Sequence, residues 1–149
     1  MAEVLFYHLT VSSLDAALPG LLERSVARGW RASVQAASPE RRDALDQLLW
    51  TYRDDSFLAH GLDSEPHAAE QPVLLTLGAD NANNSNVRFV VDGAERPDFT
   101  GYDRGVILFD GHDEQQLAAA RGQWRVLKEA GHAVTYWRQS DDGRWQQQA

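Results

Sequence analysis

The alternation of short apolar segments with amphipathic segments is the feature that most restricts the fold of this chain. In the first and last thirds, apolar runs are followed by stretches that begin at serine or aspartate and end at glycine, which is typical of capped helices between strands. Strand-like runs dominate the middle. Helices that join neighbouring strands favour parallel pairing. The sequence therefore predicts an α/β fold with a partly parallel, mixed sheet flanked by helices.

The predicted strands cover residues 4–9, 30–36, 72–77, 87–91, 106–109 and 133–137. The predicted helices run from Ser12 or Ser13 to about residue 28, from Ser38 to about residue 52, and from Asp113 to about residue 130. Pro19 fits the first helix only in its first turn or at a kink. We expect one domain over residues 1–149, with residues 146–149 forming a disordered tail.

Length and composition restrict the class of protein. The chain has 149 residues, enough for one domain with its own core, and no cysteine, which excludes disulfides, zinc-thiolate sites and thiol catalysis. The absence of cysteine fits a reducing compartment, and the first residues lack the pattern of a signal peptide. No apolar run is long enough to span a membrane. We therefore expect a cytoplasmic protein without a membrane partner.

The charge of the chain is unevenly distributed. The net charge is −8, which is unfavourable for general binding to a phosphate backbone. Between Arg121 and Trp145, however, five basic residues stand against three acidic ones. The C-terminal part is therefore a basic island on an acidic body.

Motifs for nucleotide, metal or acyl-transfer chemistry are absent from the sequence. No glycine follows the first strand, and Lys128, the single lysine, is not in a phosphate-binding loop. There is no histidine pair at metal-ligand spacing on a helix. His60 fits a general base, or more simply a loop histidine bonded to backbone. Asp110 ends a strand, where α/β enzymes often place catalytic groups, but no partner acid or base stands beside it. We expect no cofactor, no metal and no catalysis, with a nucleotide-binding enzyme as the alternative.

The last predicted helix has two distinct sides. Its mostly apolar side, which we expect to face the core, holds Ala119, Ala120, Gln123, Val126, Leu127 and Ala130. A second side holds Leu117, Arg121, Trp124 and Lys128. One interpretation is a second core face, covered by the last strand and by the tail with Trp145. The other is a docking site, because arginine grips a carboxylate while tryptophan lines an apolar pocket. A peptide that ends in an aromatic residue with a free carboxylate, after acidic residues, fits this site.

Trp50 and Phe57 form a second candidate site. Trp50 points away from the apolar side of the second helix, and Phe57 lies in the loop just after it. The two rings either pack on each other when the loop folds back, or anchor a partner, since aromatic residues dominate interface hot spots.

Taken in order, these landmarks resemble the chi subunit of bacterial DNA polymerase III. The resemblance runs from about residue 5 to residue 137 and rests on the segments FY at 6–7, LDQLLW at 45–50, SFLAH at 56–60, QPVLL at 71–75 and ARGQW at 120–124, with Gly131 closing the last helix. It implies a Rossmann-like fold without a nucleotide site and a non-catalytic replication protein within the clamp-loader assembly.

The resemblance also implies two partners. The first is the acidic, Phe-ending C-terminal tail of single-stranded DNA-binding protein, bound by Arg121 and Trp124, with Leu117, Arg125 and Lys128 beside them. The second is the psi subunit, where the organism has one, bound by Trp50 and Phe57. DNA is then reached only indirectly. Direct binding of single-stranded DNA through Arg121, Trp124 and Arg125 is a further alternative, which the net charge disfavours.

The sequence departs from the family pattern at two points. Leu117 stands where chi subunits carry a basic residue, one turn before the arginine, and Lys128 or Arg125 is the candidate replacement. Ala59 stands where the family has a proline before the histidine.

Overall fold

The computed structural model describes residues 2–52, 58–78, 80–94 and 99–149. These residues form eight strands, three α-helices and one short 3-10 helix. The strands are β1 (Glu3–Leu9), β2 (Ala32–Gln35), β3 (Gly61–Leu62), β4 (Val73–Thr76), β5 (Val87–Val90), β6 (Arg104–Asp110), β7 (Ala133–Gln139) and β8 (Trp145–Gln147). The helices are α1 (Leu14–Ala27), α2 (Pro39–Thr51) and α3 (Glu114–Glu129), and the 3-10 helix is Ala68–Glu70. Over these ranges, no helix has the length and apolar character needed to cross a membrane.

The strands form one sheet in the order β3-β4-β2-β5-β6-β1-β7-β8. Every neighbouring pair is parallel except β7 and β8, which are antiparallel. The predicted α/β fold with a partly parallel, mixed sheet is therefore confirmed.

The helices cover both faces of the sheet. The chain moves from β1 through α1 to β2 in one direction, and from β6 through α3 to β7 in the other, so right-handed connections place α1 and α3 on opposite faces. The alternation of β1 agrees, since Leu9 packs in the cluster with α1 while Val4 and Phe6 pack in the cluster with α3. β1 is thus an interior strand that lies between two apolar layers.

The helix starts follow local signals. The side chains of Ser13, Ser38 and Asp113 accept backbone N–H groups in the first turns of α1, α2 and α3, as the sequence predicts. Pro19 lies inside α1 and not in its first turn, so the first of the two expected placements is wrong. Its ring is buried, and this apolar contact offsets the missing N–H donor.

The C-terminal residues extend the sheet, contrary to the expectation of a disordered tail. Trp145 packs its ring against Tyr7, with centroids 4.5 Å apart. The Gln148 N–H donates to the Tyr136 carbonyl at 2.7 Å, and the Tyr136 N–H donates to the Ala149 carbonyl at 3.2 Å. The open edge of β7 supplies hydrogen-bond partners that a polar tail otherwise finds only in water.

Arg88 is a fully buried cation in β5, at 0% exposure. Its guanidinium donates to the Gln35 side chain, to the Ser33 and Tyr102 hydroxyls, and to the carbonyls of Gly78 and Asp80. Across the described residues it is in no ion pair, so neutral acceptors alone satisfy the charge. The side chain joins the loop after β4 to β2, β5 and the segment before β6.

Candidate functional site

The core face of α3 differs from the prediction. Ala120 and Leu127 are buried, and Leu117 and Trp124 are partly buried against the same cluster, while Val126 is 49% exposed. These four residues are still spaced as on one side of a helix, but that side includes Trp124 and excludes Val126, contrary to the predicted core face. An indole buries more apolar area than valine or alanine, so it determines which side of the helix packs.

Trp124 forms a wall between the core and an open groove. Its ring makes edge-to-face contacts with Phe6 at 5.3 Å and Tyr136 at 6.3 Å, and the Lys128 ammonium lies 6.0 Å from the ring centroid. Of the interpretation as a second core face, the contact with the last strand is confirmed, since Tyr136 of β7 packs on Trp124, but Trp145 belongs to the cluster on the opposite face of the sheet and does not cover this side of α3. Strand β7 lines the groove without closing it.

The groove has a volume of about 770 Å³ and lies between α3 and strands β6, β1 and β7. It is lined by His8, Phe109, Leu117, Ala120, Arg121, Trp124, Arg125, Lys128, Glu129, Tyr136 and Arg138. All five residues predicted for tail binding are in this set. The strand residues His8, Tyr136 and Arg138 were missed, although their two-residue spacing from core positions Phe6 and Val134 places them on the same face.

The groove is positively charged. Arg121, Arg125, Lys128 and Arg138 are exposed, and Glu129 is the single carboxylate among the lining residues. In the part of the chain that the structure describes, none of these four cations is in an ion pair. An anion can therefore enter without displacing an internal partner.

The floor of the groove is a neutral polar pair. His8 and Tyr136 share a hydrogen bond between Nδ1 and the hydroxyl, and the His8 ring stacks on Phe109 at 4.9 Å. Burial lowers the pKa of His8, and the charges of Arg138, His112 and Arg121 lower it further, against an opposing effect of Asp110. Burial raises the pKa of Tyr136. Near pH 7 His8 is therefore mostly uncharged, and the groove charge comes from the four cations.

In the crevice where α/β proteins of this topology hold a nucleotide, the backbone donors are taken by the chain itself, although the crevice stays open. The Gln139 side-chain oxygen accepts the N–H groups of Thr10, Val11 and Ser12 at 3.0–3.2 Å. Three successive N–H groups form the type of nest that binds a phosphate elsewhere. Beside it, Arg41 is paired with Asp15 at 2.5 Å and with Asp92 at 2.6 Å.

Asp110, the candidate catalytic acid, also borders this crevice, where its carboxylate accepts the backbone N–H of His112 at 2.8 Å. It lies among other carboxylates, which disfavours a bound phosphate.

The second candidate surface is partly described. Trp50 is 52% exposed, and its ring lies 4.7 Å from the His60 ring. His60 Nδ1 is 2.7 Å from the Leu58 carbonyl, and Nε2 is 3.1 Å from an Asp46 oxygen. The interpretation of His60 as a loop histidine bonded to backbone is confirmed, and its buried side chain supports Trp50 from below. Phe57 lies outside the described residues.

The fold and the groove together define a Rossmann-like α/β protein whose crevice has its backbone donors occupied by Gln139 and whose α3 face carries an open cationic groove. The family model for the DNA polymerase III chi subunit, HolC, matches residues 1–135, and the chain belongs to this family. It is a protein of DNA replication.

Two relatives are named for the same subunit. The probable DNA polymerase III subunit chi of Rickettsia prowazekii is 25% identical over 91 residues, which cover 61% of this chain and 55% of that protein. The chain therefore spans about half the length of this relative. The DNA polymerase III subunit chi of Pseudomonas aeruginosa is 28% identical over 137 residues, which cover 90% of this chain and 94% of that protein.

Proposed function

We propose that this chain is a non-catalytic adaptor of the DNA polymerase III clamp-loader assembly in the cytoplasm. The groove on α3 binds the acidic, Phe-ending C-terminal tail of single-stranded DNA-binding protein. A separate surface at Trp50 and Phe57 binds the psi subunit. The cationic groove with an aromatic wall is the observation that supports tail binding most strongly.

The groove offers a separate contact for each of two groups on the tail's terminal phenylalanine, its phenyl ring and its carboxylate. Trp124, Tyr136 and Leu117 offer an apolar surface for a phenyl ring, and edge-to-face contacts between aromatic rings are favourable. Arg121 lies one turn before Trp124 on the same helix, and its planar fork suits a carboxylate. Arg125 and Lys128 supply charge for the acidic residues upstream, where exposed charges act mainly on the association rate.

The test is a calorimetric titration of the protein with an acidic peptide that ends in phenylalanine. We expect saturable binding that weakens when the terminal carboxylate is amidated or the phenylalanine is replaced by alanine, because each change removes one of the two anchors. Single-stranded DNA without the peptide should not bind. Equal affinity for all three peptides, or tight binding of DNA alone, would overturn the proposal.

The psi surface rests on the exposure of Trp50 and on its support by His60. We expect Trp50→Ala to weaken association with the other clamp-loader subunits by roughly 2 kcal/mol, the scale of an aromatic hot spot. Co-purification of the assembly at increasing salt measures the loss.

Val126→Ala is the matched control, since Val126 is exposed to a similar extent on α3 and lines neither surface. Undiminished recovery of the Trp50 variant, with an unchanged circular dichroism spectrum, would exclude this site.

A further inference from the structure

Arg138 gives the groove a cation on the strand side. In the parallel pairing of β1 with β7, His8 and Arg138 are Cα partners, so both side chains lie on the α3 face of the sheet. Arg138 is exposed, and it is in no ion pair within the described ranges. The other three cations of the groove, Arg121, Arg125 and Lys128, all lie on α3.

Arg138 and Arg121 lie at the same level on opposite walls. Trp124 and Tyr136 are in contact, with ring centroids 6.3 Å apart. Arg121 precedes Trp124 by three residues, about 4.5 Å along the helix. Arg138 follows Tyr136 by two residues, about 7 Å along the strand. Because α3 runs antiparallel to β7, both displacements point the same way, so the two residues line the groove toward the same end, one on the helix and one on the strand.

The electrostatics of His8 support this placement. Arg138 and Arg121 both contribute to lowering the His8 pKa, although one lies on a strand and the other on a helix. Both charges therefore act at one point on the groove floor, between the two walls.

The backbone next to Arg138 is held firmly. Gln139 is buried, accepts three N–H groups of the loop after β1, and donates through its side-chain nitrogen to the Ser12 hydroxyl at 3.0 Å. Arg138 is thus presented from an ordered strand, and binding requires ordering of its side chain alone.

We propose that Arg138 and Arg121 together bind the terminal carboxylate of the tail, each from its own wall, which makes Arg138 a specificity-determining residue. The inference rests on the proposed tail binding. A carboxylate offers about four lone-pair positions, enough for two guanidinium groups. The terminal carboxylate belongs to the same residue as the phenyl ring. When the ring packs on Trp124 and Tyr136, that carboxylate lies within a few ångströms, at the level of the two arginines.

A double-mutant cycle tests the proposal. Arg138→Gln keeps most of the side-chain stem and removes the charge, and we expect it to weaken binding of the acidic Phe-ending peptide about tenfold. Amidation of the peptide should weaken binding of the wild type, and most of the Arg138→Gln effect should vanish with the amidated peptide. Replacement of the upstream aspartates by asparagine should leave the effect of Arg138→Gln unchanged.

Arg144→Gln is the matched control. Arg144 is exposed close to Arg138 in sequence, but it is paired with Asp142 at 3.4 Å and does not line the groove. We expect it to leave affinity unchanged. Thermal unfolding of each variant verifies the fold.

The outcomes separate the two proposals. If the wild type binds and Arg121→Ala abolishes binding while Arg138→Gln behaves like Arg144→Gln, the role of Arg138 is overturned and tail binding stands. If the effects of Arg138→Gln and amidation simply add, Arg138 contacts another part of the tail and the assignment to the terminal carboxylate is wrong. If the wild type does not bind the peptide, both proposals fail.

Discussion

Arg121→Ala is expected to weaken binding of the acidic Phe-ending peptide by at least roughly 2 kcal/mol, about 30-fold in the dissociation constant. Arg121 lies beside the aromatic wall of the groove and has no internal ion pair in the described structure, so the substitution removes a carboxylate anchor without freeing an internal charge. Fluorescence anisotropy of a labelled peptide measures the loss. The α3 fold should be unaffected, because Arg121 is exposed.

Arg125→Ala is the control for general charge, since Arg125 is an exposed arginine on the same helix and borders the same groove. We expect a smaller loss that shrinks further as salt is raised, because rim charges act mainly through long-range attraction. Equal losses for the two variants would show that net charge alone determines affinity and would contradict a specific role of Arg121.

Arg88→Ala is expected to destabilise the fold by about 3–5 kcal/mol, the scale for breaking a buried hydrogen-bonded charge network. The substitution leaves a cavity in β5. It also removes the hydrogen bonds that Arg88 donates to the Gln35 side chain, the Tyr102 hydroxyl and the carbonyls of Gly78 and Asp80. Urea unfolding followed by tryptophan fluorescence measures the change.

Arg88→Met separates the effect of the cavity from the effect of the lost hydrogen bonds, because methionine fills most of the arginine volume but donates no hydrogen bond. We expect it to lie between the wild type and Arg88→Ala in free energy of unfolding. A wild-type midpoint for Arg88→Ala would mean that the buried guanidinium contributes nothing to stability.

The helix ends are predictable from the sequence because their causes are local. A serine or aspartate cap and a glycine stop act within one turn, and Ser13, Ser38 and Asp113 cap the helices as expected. The partly parallel sheet follows from the order of strands and helices.

Features that depend on remote packing were not predictable. The buried face of α3 is decided by Phe6 and Tyr136, which receive the Trp124 ring from two other strands. Strand β8 exists because the edge of β7 is open beside it, and a polar run such as residues 146–148 shows no sign of this. Arg88 has the pattern of a solvent-facing strand residue, and its acceptors come from three other segments, which are β2, the loop after β4 and the segment before β6.

The helix side of the groove was predictable, and the strand side was not. Residues spaced by three and four on α3 fall together on any helical wheel, so Leu117, Arg121, Trp124 and Lys128 group without knowledge of the fold. His8, Tyr136 and Arg138 join them only because β1 and β7 are adjacent in the sheet. His8 and Tyr136 are more than 120 residues apart in sequence, so no local pattern indicates that they are in contact.

The position of β1 between β6 and β7 has a consequence for the order in which the sheet forms. β1 is synthesised well before both of its neighbours in the sheet, β6 and β7. The N–H groups of the loop after β1 also lack their hydrogen-bond acceptor until Gln139 has been synthesised. Contacts of such long sequence separation form slowly, and an unpaired strand exposes apolar surface until they do. β1 therefore stays without its neighbours until β6 and β7 have been synthesised, and this part of the sheet forms only then.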